Sequence, residues 1–217
     1  MRRFIVLGQK AKASGDFLLA DIPSTSGRLD VLLRALRAGL LISHGVRRDS
    51  QVYLVLLGEP DRERVVRFDG SAARYLRPDE RNLATTLKKA LAVQLADGGF
   101  TTVRPGIDVA AGGVALLRSE LATSAVYLLE QGAPDVRTSV LDVQDCAFVL
   151  GDHLGIRDAE RAFFLALGAR SLSLGPTALY TEDAIAVLAN ELDRRAASVT
   201  TTAAHSGEAP DELPKLV

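Results

Sequence analysis

The sequence predicts an α/β fold in which a mostly parallel sheet is flanked by helices. The second half of the 217-residue chain alternates short apolar runs with amphipathic stretches, which is typical of parallel strands joined by helices. These runs predict strands over 125–129, 146–150 and 171–174, and helices over 158–167 and 181–197. QVYLVLL, at residues 51–57, is continuously apolar and indicates a strand covered on both faces. A composition of 47% hydrophobic and 24% charged residues fits one packed domain.

The first half of the chain supplies the remaining elements. RFIVLG predicts a strand at residues 3–8, and residues 17–22 predict a weaker one. The hydroxyl-rich stretch 24–26 offers N-cap oxygens to a helix that begins near Arg28, with leucines spaced along one face. Further expected features are a turn at 59–61, a strand at 64–68, a helix from Asp79 that ends at Gly98 and Gly99, and a turn at Pro105 and Gly106.

Composition excludes several classes of function. No apolar run reaches the roughly 18 residues that cross a bilayer, and the apolar stretch after Arg3 is too short for a signal peptide. Cys146 is the single cysteine and cannot form an internal disulfide, and the histidines are not spaced with it as metal ligands. We therefore expect a cytoplasmic protein without a membrane segment and without a bound metal.

Two glycine-containing loops that follow predicted strands indicate a ligand site. FVLGDHLGI (148–156) and LSLGPTALYTEDA (172–184) each leave a strand at the end where open α/β sheets bind ligands. Glycine there lets main chain approach a ligand, while the dinucleotide fingerprint and the P-loop are absent. Asp152 could bind a ribose hydroxyl, or its carboxylate could accept main-chain N–H groups within the turn. His153 could simply cap the loop without a role in binding. The residues alone leave these alternatives open.

A basic loop follows the first amphipathic helix, in a chain whose net charge is only −1. Its sequence is SHGVRRD (43–49), and it contains Arg47, Arg48 and Asp49. An ion pair would explain these charges. Alternatively, the guanidinium groups bind phosphate through their planar fork of donors, and the carboxylate acts on a reacting base.

Five blocks, in order, carry a resemblance to a known family: SGRLD, SHGVRRDSQVYLVLLGEP, RPDERN, FVLGDHLGI and LSLGP. They resemble the archaeal tRNA pseudouridine N1-methyltransferases and their bacterial relatives, of the SPOUT class of S-adenosylmethionine-dependent RNA methyltransferases. The resemblance extends over residues 1–197 and implies a deep C-terminal trefoil knot and a homodimer. Residues 198–217 are left as a tail, whose polar and aperiodic composition predicts disorder.

The resemblance also implies which residues form the site. The methyl donor S-adenosylmethionine would be bound by Leu128, Gly151, Leu172, Ser173, Leu174, Gly175, Pro176 and Thr177. The acceptor would be N1 of a pseudouridine in the tRNA T-loop, with Asp49 orienting or deprotonating the base and Arg47 and Arg48 holding phosphate or stabilising negative charge. Further candidates for contact with tRNA are Arg28, Arg81 and Asn82.

The chain departs from the family pattern at LYTEDA, residues 179–184, where the archaeal relatives carry histidine and cysteine. Ala184 replaces the cysteine, while Glu182 and Asp183 bring acids close to the donor pocket. We expect donor binding to tolerate this change, since the loop backbone can be kept. The acids would be unfavourable near RNA unless they face the donor or the start of the last helix, where acids are favourable. Two alternatives stay open: methylation of another nucleotide in tRNA or another structured RNA, or binding of donor and RNA without turnover.

Overall fold

The computed structural model describes residues 1–58, 62–96 and 98–205, with side chains as far as residue 198. The turn predicted at 59–61 lies outside the described residues. Within them, the chain forms one eight-stranded sheet and a separate two-stranded ribbon. The strands are β1 (Arg2–Lys12), β2 (Leu41–Ile42), β3 (Gly45–Val46), β4 (Ser50–Gly58), β5 (Arg64–Asp69), β6 (Thr101–Arg104), β7 (Ile107–Ala111), β8 (Ala125–Leu129), β9 (Cys146–Gly151) and β10 (Arg170–Leu172).

Strands β2 and β3 form the two-stranded ribbon, and the other eight strands form the large sheet. Helices cover both faces of the large sheet. The helices are α1 (Ile22–Thr25), α2 (Leu29–Leu40), α3 (Glu80–Leu91), α4 (Leu117–Glu120), α5 (Asp158–Ala166) and α6 (Thr181–His205). Along β1 the side chains alternate between two cores. Phe4 and Val6 pack with residues of α2, α3 and α6, while Ile5 and Leu7 pack with residues of α4 and α5. The sheet is therefore the middle of three layers.

The strand order in the large sheet is β10-β8-β9-β1-β4-β5-β7-β6. The strands from β10 to β4 are parallel to their neighbours, whereas β5, β7 and β6 pair in antiparallel fashion. The predicted mostly parallel sheet flanked by helices is thus confirmed, and the antiparallel edge is an addition to it. The predicted turn at Pro105 and Gly106 joins β6 to β7, as a short hairpin connection requires.

The strand predicted at residues 17–22 is wrong, because this stretch is irregular and leads into α1. Pro23 occupies the first turn of α1, where its missing N–H costs nothing. The carboxylate of Asp21 accepts a hydrogen bond from the Ser24 N–H at 3.3 Å and so caps the helix. The predicted start of α2 is confirmed, and the hydroxyl of Ser26 accepts from the Leu29 N–H at 3.1 Å.

Two predicted element ends are also wrong. Helix α3 ends at Leu91 and not at Gly98, because Arg64 donates to the Leu91 carbonyl at 2.5 Å and the Ala92 N–H closes the last turn. Strand β10 ends at Leu172 and not at residue 174. Ser173 leaves the sheet to donate to the Pro134 carbonyl and to accept from the Val136 N–H, each at 2.8 Å.

Helix α6 is longer than the predicted helix at 181–197. It continues to His205 and so includes part of the segment 198–217 that the sequence predicts to be a disordered tail. Residues 206–217 lie outside the described part of the chain. The buried side chains of α6, among them Ile185, Leu188 and Leu192, belong to the same core as α2.

Candidate functional site

The carboxyl ends of β8, β9 and β10 open onto a groove that residues 177–184 border on one side. The groove contains two adjoining cavities of about 430 and 160 Å³. Both cavities are lined by Leu129, Glu130, Gln131, Ala178, Leu179 and Ala184. The groove therefore lies at the sheet edge where the glycine-containing loops predicted a ligand site.

The loop after β10 contributes main chain to this groove. Of the predicted donor residues, the ones that line the smaller cavity are Leu172, Ser173, Leu174, Gly175 and Thr177. The Ser173 hydroxyl accepts from the Gly175 N–H at 3.2 Å and holds the loop in shape. Within the described residues, the main-chain groups of residues 174 and 177–179 make no hydrogen bond to the protein. They remain available to the edge of a polar heteroaromatic ring.

The turn after β9 forms the opposite lip of the groove. Gly151 lines the larger cavity, and a Cβ at this position would meet the main-chain carbon of Gly155 at 2.3 Å. Glycine is thus required for the turn to fold back on itself. The Thr181 hydroxyl donates to the Gly151 carbonyl at 2.7 Å, which fixes the start of α6 to this lip.

Asp152 acts within its own turn. One carboxylate oxygen accepts from the Gln9 N–H and the other from the Leu154 N–H, both at 2.8 Å. Asp152 lines the larger cavity, but its side chain is only 1% exposed and both carboxylate oxygens already accept main-chain N–H groups. Of the two alternatives that the sequence left open, the main-chain role is the one observed. His153 lies beside it, with Nδ1 3.9 Å from the carboxylate.

Two predicted donor residues lie outside the groove. The side chain of Leu128 is fully buried in the core on the α5 face of the sheet, and its neighbours Leu129 and Glu130 line the groove instead. Pro176 lines an adjacent cavity with Ala133, and its carbonyl accepts from the Gln131 side-chain amide at 3.2 Å.

Glu130 is a groove residue that the sequence reasoning missed. Hydrogen bonding by Arg161, with a further bond from the Ser171 hydroxyl, holds the pKa of the Glu130 carboxyl below its usual range, although burial opposes ionisation. A carboxylate therefore faces the groove at neutral pH. The available signal was its position, directly after a parallel strand at the ligand-binding edge.

A chain of ion pairs joins the start of α2 to the start of α6. Arg28 donates to both oxygens of Asp30 from Nε and Nη2, at 2.9 and 3.0 Å. Arg34 bridges Asp30 at 3.0 Å and Glu182 at 2.7 Å. Burial raises the pKa of Asp30, but the hydrogen bonds and charges of the two arginines outweigh it, and the net shift is downward. Asp30 is therefore an anion that orients two guanidinium groups.

Arg28 keeps part of its guanidinium free. Its backbone adopts the left-handed conformation, with φ of 71°, and its side chain is 42% exposed. Among the described residues, nothing accepts a hydrogen bond from its Nη1. Hydrogen bonding and charge from Asp30 raise the pKa of Arg28, and the charge of Asp152 adds a smaller contribution. Gly27 packs so closely on β1 that a Cβ there would meet the Lys10 carbonyl oxygen at 1.7 Å, and the neighbouring Gln9 N–H donates to Asp152. Arg28 therefore follows a segment that packs beside the turn after β9.

The acidic pair that departs from the family pattern faces α2. Glu182 and Asp183 occupy the first turn of α6, where acids offset the helix dipole. Glu182 pairs with Arg34, and both acids line a cavity between α2 and α6 together with Arg37. The negative charge of the two acids is thus offset by Arg34 and Arg37 of α2.

The predicted catalytic residues lie at the other edge of the sheet. Asp49 pairs with Arg2 at 2.8 Å, Arg47 donates to Asp193 at 2.8 Å, and Arg48 donates to the carbonyls of Gly70 and Ala73. Asp49 directly precedes β4, and Val55 of β4 lies level with Gly151 through their common neighbour Leu7 in β1. At about 3.3 Å per residue, this edge is roughly 15–20 Å from the groove.

The remaining predicted RNA contacts lie at the start of α3. The Asn82 main-chain N–H donates to the Asp79 carboxylate at 2.8 Å, and the side-chain amide oxygen Oδ1 of Asn82 accepts from the Arg77 N–H at 3.1 Å. Asn82 is therefore occupied in capping the helix. Arg81 is exposed in the first turn of α3.

The search for a metal or membrane site covers the described ranges only. Within those ranges, no cluster of three or more histidine, cysteine, aspartate or glutamate side chains could hold a metal ion. In the same ranges, no helix combines the length and apolarity needed to cross a membrane.

A mostly parallel sheet with a groove of unbonded main chain across three strand ends defines an α/β protein with a small-molecule site at its strand ends. Residues 1–197 match the model of a family described as "Putative SAM-dependent RNA methyltransferase". The chain belongs to this family, and S-adenosylmethionine is its methyl donor. The predicted family, enzyme class and cofactor are confirmed.

Individual relatives agree with the family match. Proteins named tRNA (pseudouridine(54)-N(1))-methyltransferase from Methanosarcina mazei and Halobacterium salinarum are 42% and 40% identical to this chain. Each alignment covers 89% of this chain, and 92% and 96% of the respective relative. The structure of Archaeoglobus fulgidus Nep1 bound to S-adenosylhomocysteine shares the fold, with a TM-score of 0.58 at 16% identity over 90% of this chain and 98% of that one.

Proposed function

We propose that this enzyme methylates N1 of a pseudouridine in tRNA. The relatives that bear this name align over nearly their whole length. The observation that carries the proposal is the guanidinium of Arg28, which keeps Nη1 unbonded among the described residues and follows a segment packed on β1 beside the Asp152 turn. A cation in this place suits an acceptor base that becomes negatively charged as it reacts.

The residues of the groove fit the methyl donor. The apolar side chains of Leu129, Leu172 and Leu179 suit the faces of an adenine ring, and the unbonded main-chain groups of 177–179 suit its edge. The Glu130 carboxylate would accept from ribose hydroxyls or face the positive sulfonium. When bound there, S-adenosylmethionine supplies an electrophilic methyl group on a positively charged sulfur.

Arg28 and Asp30 would act on the acceptor base. The N1–H of pseudouridine is weakly acidic, so transfer needs stabilisation of the charge that its loss leaves on the ring. Arg28 Nη1 can donate to a ring carbonyl, while Asp30 fixes the direction of the guanidinium. The lowered pKa of Asp30 suits an orienting anion better than a proton acceptor. A role for Asp49, Arg47 or Arg48 in the reaction would need a second protomer to bring them to the groove.

We propose that the C-terminal part of the chain forms the trefoil knot expected of this class. Ser173 is bonded to the connection between β8 and β9 at Pro134 and Val136, just before the chain enters α6. Further along α6, Arg195 donates to the Ser139 and Val136 carbonyls of the same connection. These contacts support threading of α6 through that connection. A traced experimental structure that reduces to an unknotted line would contradict the knot.

We propose that the protein forms a homodimer and that it works in the cytoplasm. A fluorescent fusion protein would test the location. A protein of net charge −1 offers a weak field to RNA, and a twofold axis would combine the basic surfaces of two copies. Sedimentation of the free protein at micromolar concentration as a 23.1 kDa monomer would contradict the dimer.

Transfer of labelled methyl from S-adenosylmethionine tests the proposed reaction. We expect label on a tRNA that contains pseudouridine at the T-loop position and none on the same transcript made with uridine. Label on the uridine transcript would instead indicate another nucleotide as the acceptor. Tight binding of donor and tRNA without transfer would indicate a binding protein without turnover.

Arg28→Gln tests the role of the free guanidinium. We expect kcat to fall by about 10²-fold, as for loss of one donor to a developing charge, while the affinity for S-adenosylmethionine stays within about twofold. Arg37→Gln, at an exposed position on the same helix, is the matched control and should keep full turnover. Equal kcat values for the two variants would remove Arg28 from the reaction.

A further inference from the structure

The loop between β5 and α3 presents an aromatic side chain among arginines. Tyr75 is 88% exposed, and Arg74, Arg77 and Arg81 around it are exposed as well. In the part of the chain that the structure describes, none of these three guanidinium groups lies within ion-pair distance of a carboxylate. By contrast, Arg2, Arg34 and Arg67 are each paired with two carboxylates. The cations of this loop are therefore unsatisfied by the protein.

Both ends of the loop are fixed. At the start, Arg48 donates to the Gly70 and Ala73 carbonyls at 2.9 and 3.2 Å, and the Gly70 N–H donates to the Ser50 carbonyl. A Cβ on Gly70 would meet the Arg47 carbonyl oxygen at 2.0 Å, so the start of the loop packs tightly against the basic loop at residues 43–49. At the far end, the caps of α3 by Asp79 and Asn82 hold the chain.

The backbone of Tyr75 is strained. Its φ is 59°, in the left-handed region that residues with a Cβ adopt rarely. A large side chain that is held in solvent on such a backbone gains little from packing to offset the strain. Strain of this kind concentrates at functional sites.

We propose that Tyr75 stacks on an unpaired base of the RNA substrate, while Arg74, Arg77 and Arg81 bind the flanking phosphates. Aromatic rings stack on bases without sequence preference, and arginine forks match phosphate oxygens. An unpaired base between phosphates would therefore satisfy the exposed ring and the three unpaired guanidinium groups, while the acids at the start of α3 lie in its N-cap and first turn. The inference rests on the proposed tRNA substrate and adds to it a second contact, remote from the groove.

The position of this loop defines which part of the RNA it contacts. The loop begins beside Ser50, at the amino end of β4, whereas the donor groove lies level with Val55 and beyond. The two are separated by roughly 15–20 Å along the strands. Within one protomer, the stacked base would thus be several nucleotides away from the methylated one, or in another arm of a folded RNA. Arg48, predicted to be catalytic, is a positioning residue for this loop.

Binding of a pseudouridine-containing tRNA, measured by fluorescence anisotropy without S-adenosylmethionine, tests the inference. We expect Tyr75→Ala to weaken binding by about 10-fold, the range for loss of one stacked base, and Tyr75→Phe to bind like the wild type. Tyr75→Gly removes the backbone strain, so it should fold at least as well and still bind weakly. Arg74→Gln and Arg77→Gln should each reduce the slope of log K against log salt concentration by about one, the loss of one phosphate contact. Arg137→Gln, at an exposed position outside this loop, should leave the slope unchanged.

Three outcomes overturn the inference. Tyr75→Ala with RNA affinity within twofold of the wild type excludes a base contact, and it is also what a loop for docking another protein would give. Tyr75→Phe as weak as Tyr75→Ala would make the hydroxyl, and not the ring, the binding group. An unchanged salt dependence in both arginine variants would exclude phosphate contacts. Failure of the proposed reaction is a separate result, because wild type that binds tRNA but transfers no methyl group leaves these binding differences measurable.

Discussion

At the scale of single residues, the charges around the groove are held by partners that fix both their ionisation and their direction. Asp30 is the centre, since it accepts from Arg28 and Arg34, and Arg34 continues to Glu182. From the sequence, Arg28 could be recognised as a candidate contact, but not its partner. The pairing depends on the left-handed backbone at Arg28, which no spacing rule predicts.

The lowered pKa of Asp30 predicts a pH dependence of stability. The folded state holds the proton less tightly than the unfolded state, so Asp30 stabilises the fold above its unfolded pKa of about 3.9 and loses this contribution as pH falls through the folded pKa. We expect the free energy of unfolding of the wild type to exceed that of Asp30→Asn at pH 7. The difference should shrink steadily below about pH 4.

Urea unfolding of both proteins over this pH range measures the difference. Asp69→Asn is the comparison variant. The pKa of Asp69 is also lowered, because burial is outweighed by hydrogen bonds from Ser71 and Gln51. Arg28 and Arg34, however, pair with Asp30 and not with Asp69. Double substitution at 30 and 69 should be additive. A difference between wild type and Asp30→Asn that is independent of pH would show that packing, and not charge, is lost.

At the scale of elements, the sequence predicted the positions of the buried strands well, and their exact ends and the loops beyond them incompletely. Continuous apolar runs located β4, β8 and β9 because burial on both faces leaves a clear pattern. The end of β10 was missed since Ser173 pairs with a segment far away in the chain. Leu128 was assigned to the donor site by the family resemblance, and its side chain packs in the core on the α5 face, which a motif match alone does not tell.

Gly151→Ala tests the turn between β9 and the groove. The new Cβ would meet main-chain atoms of Gly155 at 2.3 and 2.4 Å, which cannot move without opening the turn. We expect a loss of about 1–3 kcal/mol in stability and weaker binding of S-adenosylmethionine by calorimetry. Gly45→Ala, where the nearest atom is 3.9 Å away, should change neither. Normal donor affinity in Gly151→Ala would mean that the donor does not contact this turn.

At the scale of the whole molecule, the two proposed functional surfaces lie at opposite ends of the strands of one sheet. The proposed methyl-donor groove occupies the carboxyl ends of the parallel strands, and the Tyr75 loop with Arg48 lies at their amino ends. The family resemblance assigned Arg47, Arg48 and Asp49 to the same reaction as the donor loop at 148–156, and it assigned no role to Tyr75. Order along a chain does not report which end of a parallel strand a loop occupies, and only the strand register separates them.

This separation predicts that the two surfaces act on one RNA from different protomers of the proposed dimer. An RNA bound to both edges of a single sheet would have to wrap around it, whereas a twofold axis can place the loop of one copy beside the groove of the other. Arg28→Gln and Tyr75→Ala dimers should each be slow at limiting tRNA. When the two are unfolded, mixed and refolded, half of the dimers are mixed, and one of their two composite sites is intact. We expect about a quarter of wild-type activity to return. Activity that stays at the level of the separate variants would place both contacts on one chain.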